Sequence, residues 1–246
     1  MKIFNSTYNL KNIRNNSFIA HTHTGLGDHI VCNGLINYFS EKFEKIYLPV
    51  KSRDLKNINY LYSQASNIEI FKIENNTEEK DVQQFSRTNK LKVLKVGFKK
   101  RFPPFNKSFY DQFNLPYTIS IEKFFIPRDS DKESELFNYL KDFYNIKKEF
   151  QLVHNQSSIG KVDLNTNKYL PSIFIDKDTD IFKNIFYYAK VIELASEIHC
   201  LDSSFIHLVE RIQTKANLYF HNIKKEGQKG AQLYLTKNWK EINYLN

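Results

Sequence analysis

The stretch SFIAHTHTGLGDHIVCNGLINYF, residues 17–39, decides how the rest of the chain is read. Its opening, SFIAHTH (17–23), is a short apolar run and predicts a strand. From residue 30 to 43 the period changes, with Ile30, Val31, Gly34, Leu35, Tyr38 and Phe39 recurring at helical spacing. The turn between them carries Gly25 and Gly27. Glycines there let backbone come close to a ligand, and the start of a helix favours an anion. A dinucleotide fingerprint needs a third glycine where Ile30 stands, and the GK[ST] of a P-loop is absent. Asp28 is therefore the residue that asks for an explanation. One reading is a first-turn carboxylate that complements the helix dipole, worth about 0.3–1 kcal/mol. The other places it at the carboxyl end of a strand, over the crevice where open α/β sheets bind ligands, as a general base.

The three nearby histidines raise the question of a metal. His21 and His23 share a strand face and His29 lies across the turn, but no acidic pair completes a ligand set. The cluster reads as polar lining of a cleft, with no metal expected.

Working outward, strand-like and helix-like segments alternate. KIYLPV (45–50), IEIFKI (68–73) and KVLKVGF (92–98) predict strands, with helices over 53–66 and 78–88 between them. Short strands separated by helical patterns imply βαβ units and a parallel sheet. The rhythm breaks over 99–129, which holds four of the six prolines and many aromatics with no clean period. It reads as a linker, an acceptor-binding loop region, or both. A helix follows at 131–145. A second α/β stretch then runs through strands at 150–156, 169–175, 197–202 and 216–222, with helices over 181–196 and 203–212. The tail KNWKEINYL has a helical pattern, and DKDTD (176–180) reads as a loop. The expected organisation is a domain over 1–145 and another over 146–246.

Composition narrows the function classes. The net charge of +9 fits an anionic substrate or an anionic membrane surface. Lysines number 30 against 6 arginines, and no Arg-rich or aromatic-interleaved motif appears, which argues against a nucleic-acid partner. No apolar run reaches the length of a membrane span, and the first residues lack the apolar core of a secretory signal. Two cysteines, Cys32 and Cys200, make neither a disulfide framework nor a metal motif. A cytoplasmic setting is expected, with peripheral contact at the inner membrane face allowed by the charge.

Two further segments carry chemistry. In HCLDSSFIHLVERI (199–212), a helix starting near Ser203 buries Phe205, Leu208, Val209 and Ile212. Ser203 and His207 then fall together on the opposite face. Asp202 and Ser203 sit where a helix is capped. The unpaired N–H groups of that turn, the serine hydroxyls and a histidine one turn on also suit a diphosphate. In HNQSSIGKVD (154–163), at another strand's carboxyl end, Ser157, Ser158, Gly160 and Lys161 are placed to hold phosphate oxygens.

Together these residues resemble a family. TGLGDHI (24–30) is similar to the first-strand turn S-x-G-D-[VI] of heptosyltransferase-like enzymes of glycosyltransferase family 9. DSSFIHL (202–208) matches the spacing of their D-[TS]-G-x-x-H-[LI], with Ser204 in place of glycine. Both lie in the right order on strand-to-helix turns. The resemblance covers these turns and the layout, and this chain is shorter than most such enzymes. It implies a compact GT-B architecture, two Rossmann-like α/β/α domains facing a central cleft. It also implies inverting, metal-independent sugar transfer from a nucleotide-sugar to a hydroxyl of a glycan or lipid-linked acceptor. No cofactor is expected beyond the nucleotide-sugar co-substrate. The family's base maps to Asp28, on a turn shared with Gly25, Gly27, His23 and His29. Its diphosphate turn maps to Asp202, Ser203, Ser204 and His207, and Lys161 is placed by position as a phosphate-binding lysine. A nucleotide-sugar epimerase on the same scaffold and a non-catalytic nucleotide- or glycan-binding module are the competing readings.

Overall fold

The computed structural model describes residues 16–98, 104–157, 160–223 and 232–244, with the backbone alone at residue 157. The chain divides into two compact units at Pro127/Arg128.

In the first unit the elements run β1 (Ser17–His21), α1 (Leu26–Ser40), β2 (Lys45–Lys51), α2 (Leu55–Leu61), β3 (Ile68–Ile73), α3 (Glu78–Asn89), β4 (Lys92–Lys95), α4 (Phe105–Asp111) and α5 (Ile119–Glu122). The four strands form one parallel sheet in the order β3-β2-β1-β4. Phe18, Ile19 and Ala20 of β1 are fully buried, as a central parallel strand requires. The proline- and aromatic-rich segment is not simply a linker, because α4 and α5 dock on α1. Tyr110 Oη donates to the Val31 carbonyl at 2.6 Å, and Asn37 Nδ2 donates to the Lys123 carbonyl at 2.9 Å. Gly34 permits the approach of α5, since a Cβ there would sit 2.4 Å from the Ile119 carbonyl oxygen. Helices this short span too few turns to leave a readable period.

The second unit runs α6 (Ser130–Phe143), β5 (Gln151–His154), β6 (Gln156–Ser157), β7 (Gly160–Lys161), β8 (Ser172–Phe174), α7 (Ala189–Leu194), β9 (Glu197–Cys200), α8 (Ser204–Val209), β10 (Asn217–Ile223) and β11 (Trp239–Tyr244). Its five-stranded sheet, β11-β10-β9-β5-β8, is parallel throughout. α6 belongs here, tied by Lys190 Nζ donating to Ser134 Oγ at 2.9 Å. Arg128 strengthens the join by bridging Glu133 of α6, at 2.5 Å, and Glu193 of α7, at 2.7 Å.

Two secondary-structure expectations fail in this unit. The helix expected over 181–196 is confined to 189–194, after a 3-10 turn at Ile185–Tyr188 whose N-cap Asn184 accepts from the Phe186 N–H. The tail expected to be helical is instead β11. Glu210, 1% exposed, takes that segment out of local control. Its carboxylate accepts from the Thr236 N–H, from Thr236 Oγ1 at 2.7 Å, from the Lys237 N–H at 3.1 Å and from Trp239 Nε1 at 2.6 Å. Lys237 Nζ donates to the Val209 and Ile212 carbonyls, closing the end of α8. Burial lowers the Lys237 pKa to about 8.

On this sheet a buried polar chain links Glu197, His199, His221 and Tyr244, with contacts of 3.3, 2.9 and 2.7 Å. Residues 165–167 meet its two ends. The Asn165 N–H donates to Tyr244 Oη at 2.8 Å, and Asn167 Nδ2 donates to Glu197 Oε1 at 3.2 Å.

Candidate active site

In the order β3-β2-β1-β4 the chain builds outward from β1 and then crosses to its other side, so the reversal lies between β1 and β4. Ligands of open α/β sheets bind at such a switch point, beyond the strands' carboxyl ends. The loops meeting there are Thr22–Gly25, after β1, and Val96–Phe98, after β4. They are stitched together: the Val96 N–H donates to the His21 carbonyl at 2.8 Å, and His23 Nε2 lies 2.9 Å from the Gly97 carbonyl oxygen. β1 stops at His21, two residues before the expected end, so His23 belongs to the loop.

Gly97 is what makes the stitch possible. Its φ of +81° is the left-handed region, and a Cβ there would meet Phe109 Cε1 at 2.2 Å and His23 Cδ2 at 3.1 Å. The His23 ring stacks on Phe98 at 4.4 Å with a 10° interplanar angle, and Phe105 meets it edge-on at 5.1 Å. Thr24, β-branched, is held at φ +61°, where such residues are rarely found.

Asp28 is half-buried in the first turn of α1, and its Oδ2 accepts the Gly25 N–H at 3.1 Å. This is the reciprocal arm of a capping box, with glycine in place of the capping hydroxyl. Gly25, at the N-cap, and Gly27, in the first turn, are both half-buried. His29 does not line a cleft as expected. It is 1% exposed on the packed side of α1, where burial lowers its pKa to about 4. His21 is likewise buried, with its pKa lowered to about 4 by burial against a weaker pull from Glu79.

The second unit repeats the geometry. β5 starts its sheet, β8 lies on one side and β9 on the other, so the switch point falls between β5 and β9. Here the Leu201 N–H donates to the His154 carbonyl at 3.2 Å, and Ser203 Oγ lies 3.1 Å from His154 Nδ1. Ser203 caps α8 by accepting the Phe205 N–H at 3.2 Å. Asp202 is exposed and Ser204 half-buried at the head of α8.

His207 departs from expectation. It is 9% exposed rather than on an open face, because α8 is only six residues long and enclosed on several sides. Burial, with Arg211 adding to it, lowers its pKa to about 3. Its place is in the packing beneath the turn. Lys161 is exposed on β7, the second strand of a small hairpin that follows β5. Ser158 lies outside the described residues.

The structure thus brings His23, Gly25 and Asp28 onto one turn and Asp202, Ser203 and Ser204 onto another. It adds Gly97, Phe98 and His154, which sequence reasoning passed over. The signals were present: an isolated glycine at the end of a strand pattern marks a close backbone approach, and His154 is the last residue of β5. Among the described residues no group of His, Cys, Asp and Glu is arranged to hold a metal ion, and no helix is long and apolar enough to cross a membrane.

The sequence matches no protein-family model and no curated protein. Among solved structures, the crystal structure of the glycosyl transferase family 9 from Veillonella parvula DSM 2008 is similar to this chain. The TM-score is 0.50 at 8% identity, covering 92% of this chain and 85% of that one. At that identity the likeness is one of fold.

Proposed function

We propose that the protein is a glycosyltransferase that moves a sugar from a nucleotide-sugar to an acceptor hydroxyl on a glycan or lipid-linked molecule. The observation that carries the reading is a coincidence of place. In a chain with the fold of a family 9 glycosyl transferase structure, the two turns that resemble that family's motifs fall at the switch points of the two sheets. The first unit supplies the acceptor turn, with His23, Gly25, Gly27 and Asp28, and the second supplies the donor turn.

In the reaction the acceptor oxygen attacks the anomeric carbon while the bond from that carbon to the diphosphate breaks. Charge develops on the departing diphosphate. Donors fixed in advance stabilise it best, since they need no reorganisation as the reaction proceeds. Lys161 and the hydroxyls of Ser203 and Ser204 take that role, and lysine chemistry at this position makes a metal unnecessary. A base on the first-unit turn removes the proton, and direct displacement inverts the anomeric centre.

The test is a thermal-shift screen with nucleoside diphosphates and nucleotide-sugars, followed by an assay of nucleoside diphosphate release. A ligand at a hundred times its Kd adds about 2.7 kcal/mol of stability. One nucleotide series should raise the melting temperature and, as its sugar conjugate, be turned over. No shift with any of them overturns the reading.

A further inference from the structure

We propose that His23 Nδ1, rather than the Asp28 carboxylate, accepts the proton of the acceptor hydroxyl. This rests on the sugar-transfer reading and concerns only which group on the first-unit turn serves as base.

The argument begins with a tautomer. His23 Nε2 lies 2.9 Å from the Gly97 carbonyl oxygen, and a carbonyl can only accept. Nε2 therefore carries the ring proton, and the neutral imidazole presents Nδ1 as a lone pair. No described residue is hydrogen-bonded to Nδ1, and the ring is half-buried in a loop at the switch point, so it is not sealed in the core. His21, two residues earlier, is the contrast: a buried ring at the end of β1.

The ring is also held. Phe98 stacks against it, Phe105 abuts its edge, and the Gly97 carbonyl fixes its rotation. Gly97 can bring that carbonyl in only because it lacks a Cβ and takes a positive φ. A base whose orientation and tautomer are both set in advance is what proton transfer in a fixed geometry needs.

Asp28 is differently placed. Its Oδ2 is engaged by the Gly25 N–H, which ties the carboxylate to the shape of the turn. Asp28 is thus a positioning residue for the loop that carries His23.

The step balances. The acceptor O–H bond breaks and its proton passes to Nδ1, while the oxygen's electron pair forms the bond to the anomeric carbon. The bond from that carbon to the diphosphate breaks, and its electron pair leaves with the diphosphate. The resulting imidazolium still donates through Nε2 to the Gly97 carbonyl, now as a charge-assisted hydrogen bond.

Two measurements on the whole chain test this. The first is nitrogen NMR of His23 in the free protein, assigned with His23→Gln. Protonated Nε2 with unprotonated Nδ1 is expected, and the reverse tautomer overturns the proposal. The second is nucleoside diphosphate release from UDP-, GDP-, ADP- and CDP-linked sugars, with water as acceptor, across a pH series.

His23→Gln keeps a side-chain N–H where Nε2 stood, so the link to Gly97 survives and the base does not. It should lose about a hundredfold or more in turnover while nucleotide affinity stays within a few-fold. An acid limb in the wild-type rate should persist in Asp28→Asn, whatever the rate of that variant. If His23→Gln turns over at the wild-type rate, or the limb disappears with Asp28, His23 is not the base and sugar transfer stands. If the wild type neither binds nor turns over any of the panel, the transfer reading falls and this assignment with it.

Discussion

Replacing Gly97 with alanine tests the geometry at the first switch point without any ligand. Two costs add. Holding an L-residue at φ +81° costs about 1–2 kcal/mol. The new methyl would lie 2.2 Å from Cε1 and 2.6 Å from Cδ1 of Phe109, a ring with no exposed surface, so the neighbour has nowhere to retreat. Overpacking of that kind costs about 1–3 kcal/mol. Against this, alanine restricts the unfolded chain and returns about 0.4–1 kcal/mol. The expected net loss is about 2–4 kcal/mol, which the size scaling of melting temperature turns into a drop on the order of 10 °C. Urea and thermal unfolding followed by circular dichroism measure it. Gly160→Ala is the internal control, because that glycine also has a positive φ, +108°, but nothing lies within 4 Å of its added Cβ. It should lose only the conformational part. If Gly97→Ala is as stable as Gly160→Ala, the packing of the loop after β4 against Phe109 is wrong, and the clamped orientation of His23 is wrong with it.

Other perturbations have equally definite outcomes. Glu210→Ala strands three backbone or side-chain donors of residues 236–239 and the Trp239 indole N–H; a loss of about 3–5 kcal/mol is expected. Trp239 is the chain's single tryptophan, so its emission should move to the red as β11 detaches, and unchanged emission and stability would remove Glu210 as the anchor. His29 has its folded pKa lowered to about 4, so its contribution is complete above the unfolded value and is lost as the pH falls through 4. With an unfolded value near 6.5, the loss at pH 5 is about 2 kcal/mol, and His29→Met should flatten that part of the pH–stability curve. A variant curve parallel to the wild type would show that His29 is not buried neutral. Lys161→Ala should weaken nucleoside diphosphate binding about tenfold by calorimetry with circular dichroism unchanged, in the range of one charge-assisted contact. Equal affinity would take Lys161 out of the proposed donor site.

How much of this was legible beforehand depends on the length scale of the residues concerned. The parallel α/β class was readable because β1 to β4 and their helices each hold their own periodicity, and FIAH declares a strand buried on both faces without outside help. Asp28 and Ser203 were readable because a cap is a local event, settled within three residues. What escaped was settled at a distance. KNWKEINYL has a helical pattern, but Glu210, 27 residues before its start, fixes the Lys237 N–H and the Trp239 indole, and β10 pairs with the residues that follow as β11. The helices α4 and α5 escaped because their order comes from docking on α1 through Gly34. The role of Gly97 depends on Phe109 and His23, one on either side of it in the chain and both remote in sequence. His207 was placed on an open face by counting helical turns, which says nothing of what surrounds α8.

The dependence of α8 on residues 236–239 has a consequence for the order in which the protein comes into being. All four strands of the first sheet have been synthesised by residue 95. The second sheet lacks its edge until residue 244, and until then Glu210 and the carbonyls at the end of α8 have no protein partner from the tail. On a ribosome that adds residues from the N-terminus, the first unit can complete its strands while the second still waits with the Glu210 carboxylate lacking its tail donors and an unpaired strand edge. The half of the molecule that carries the Asp202–Ser204 turn is therefore the half most exposed to misassociation during synthesis.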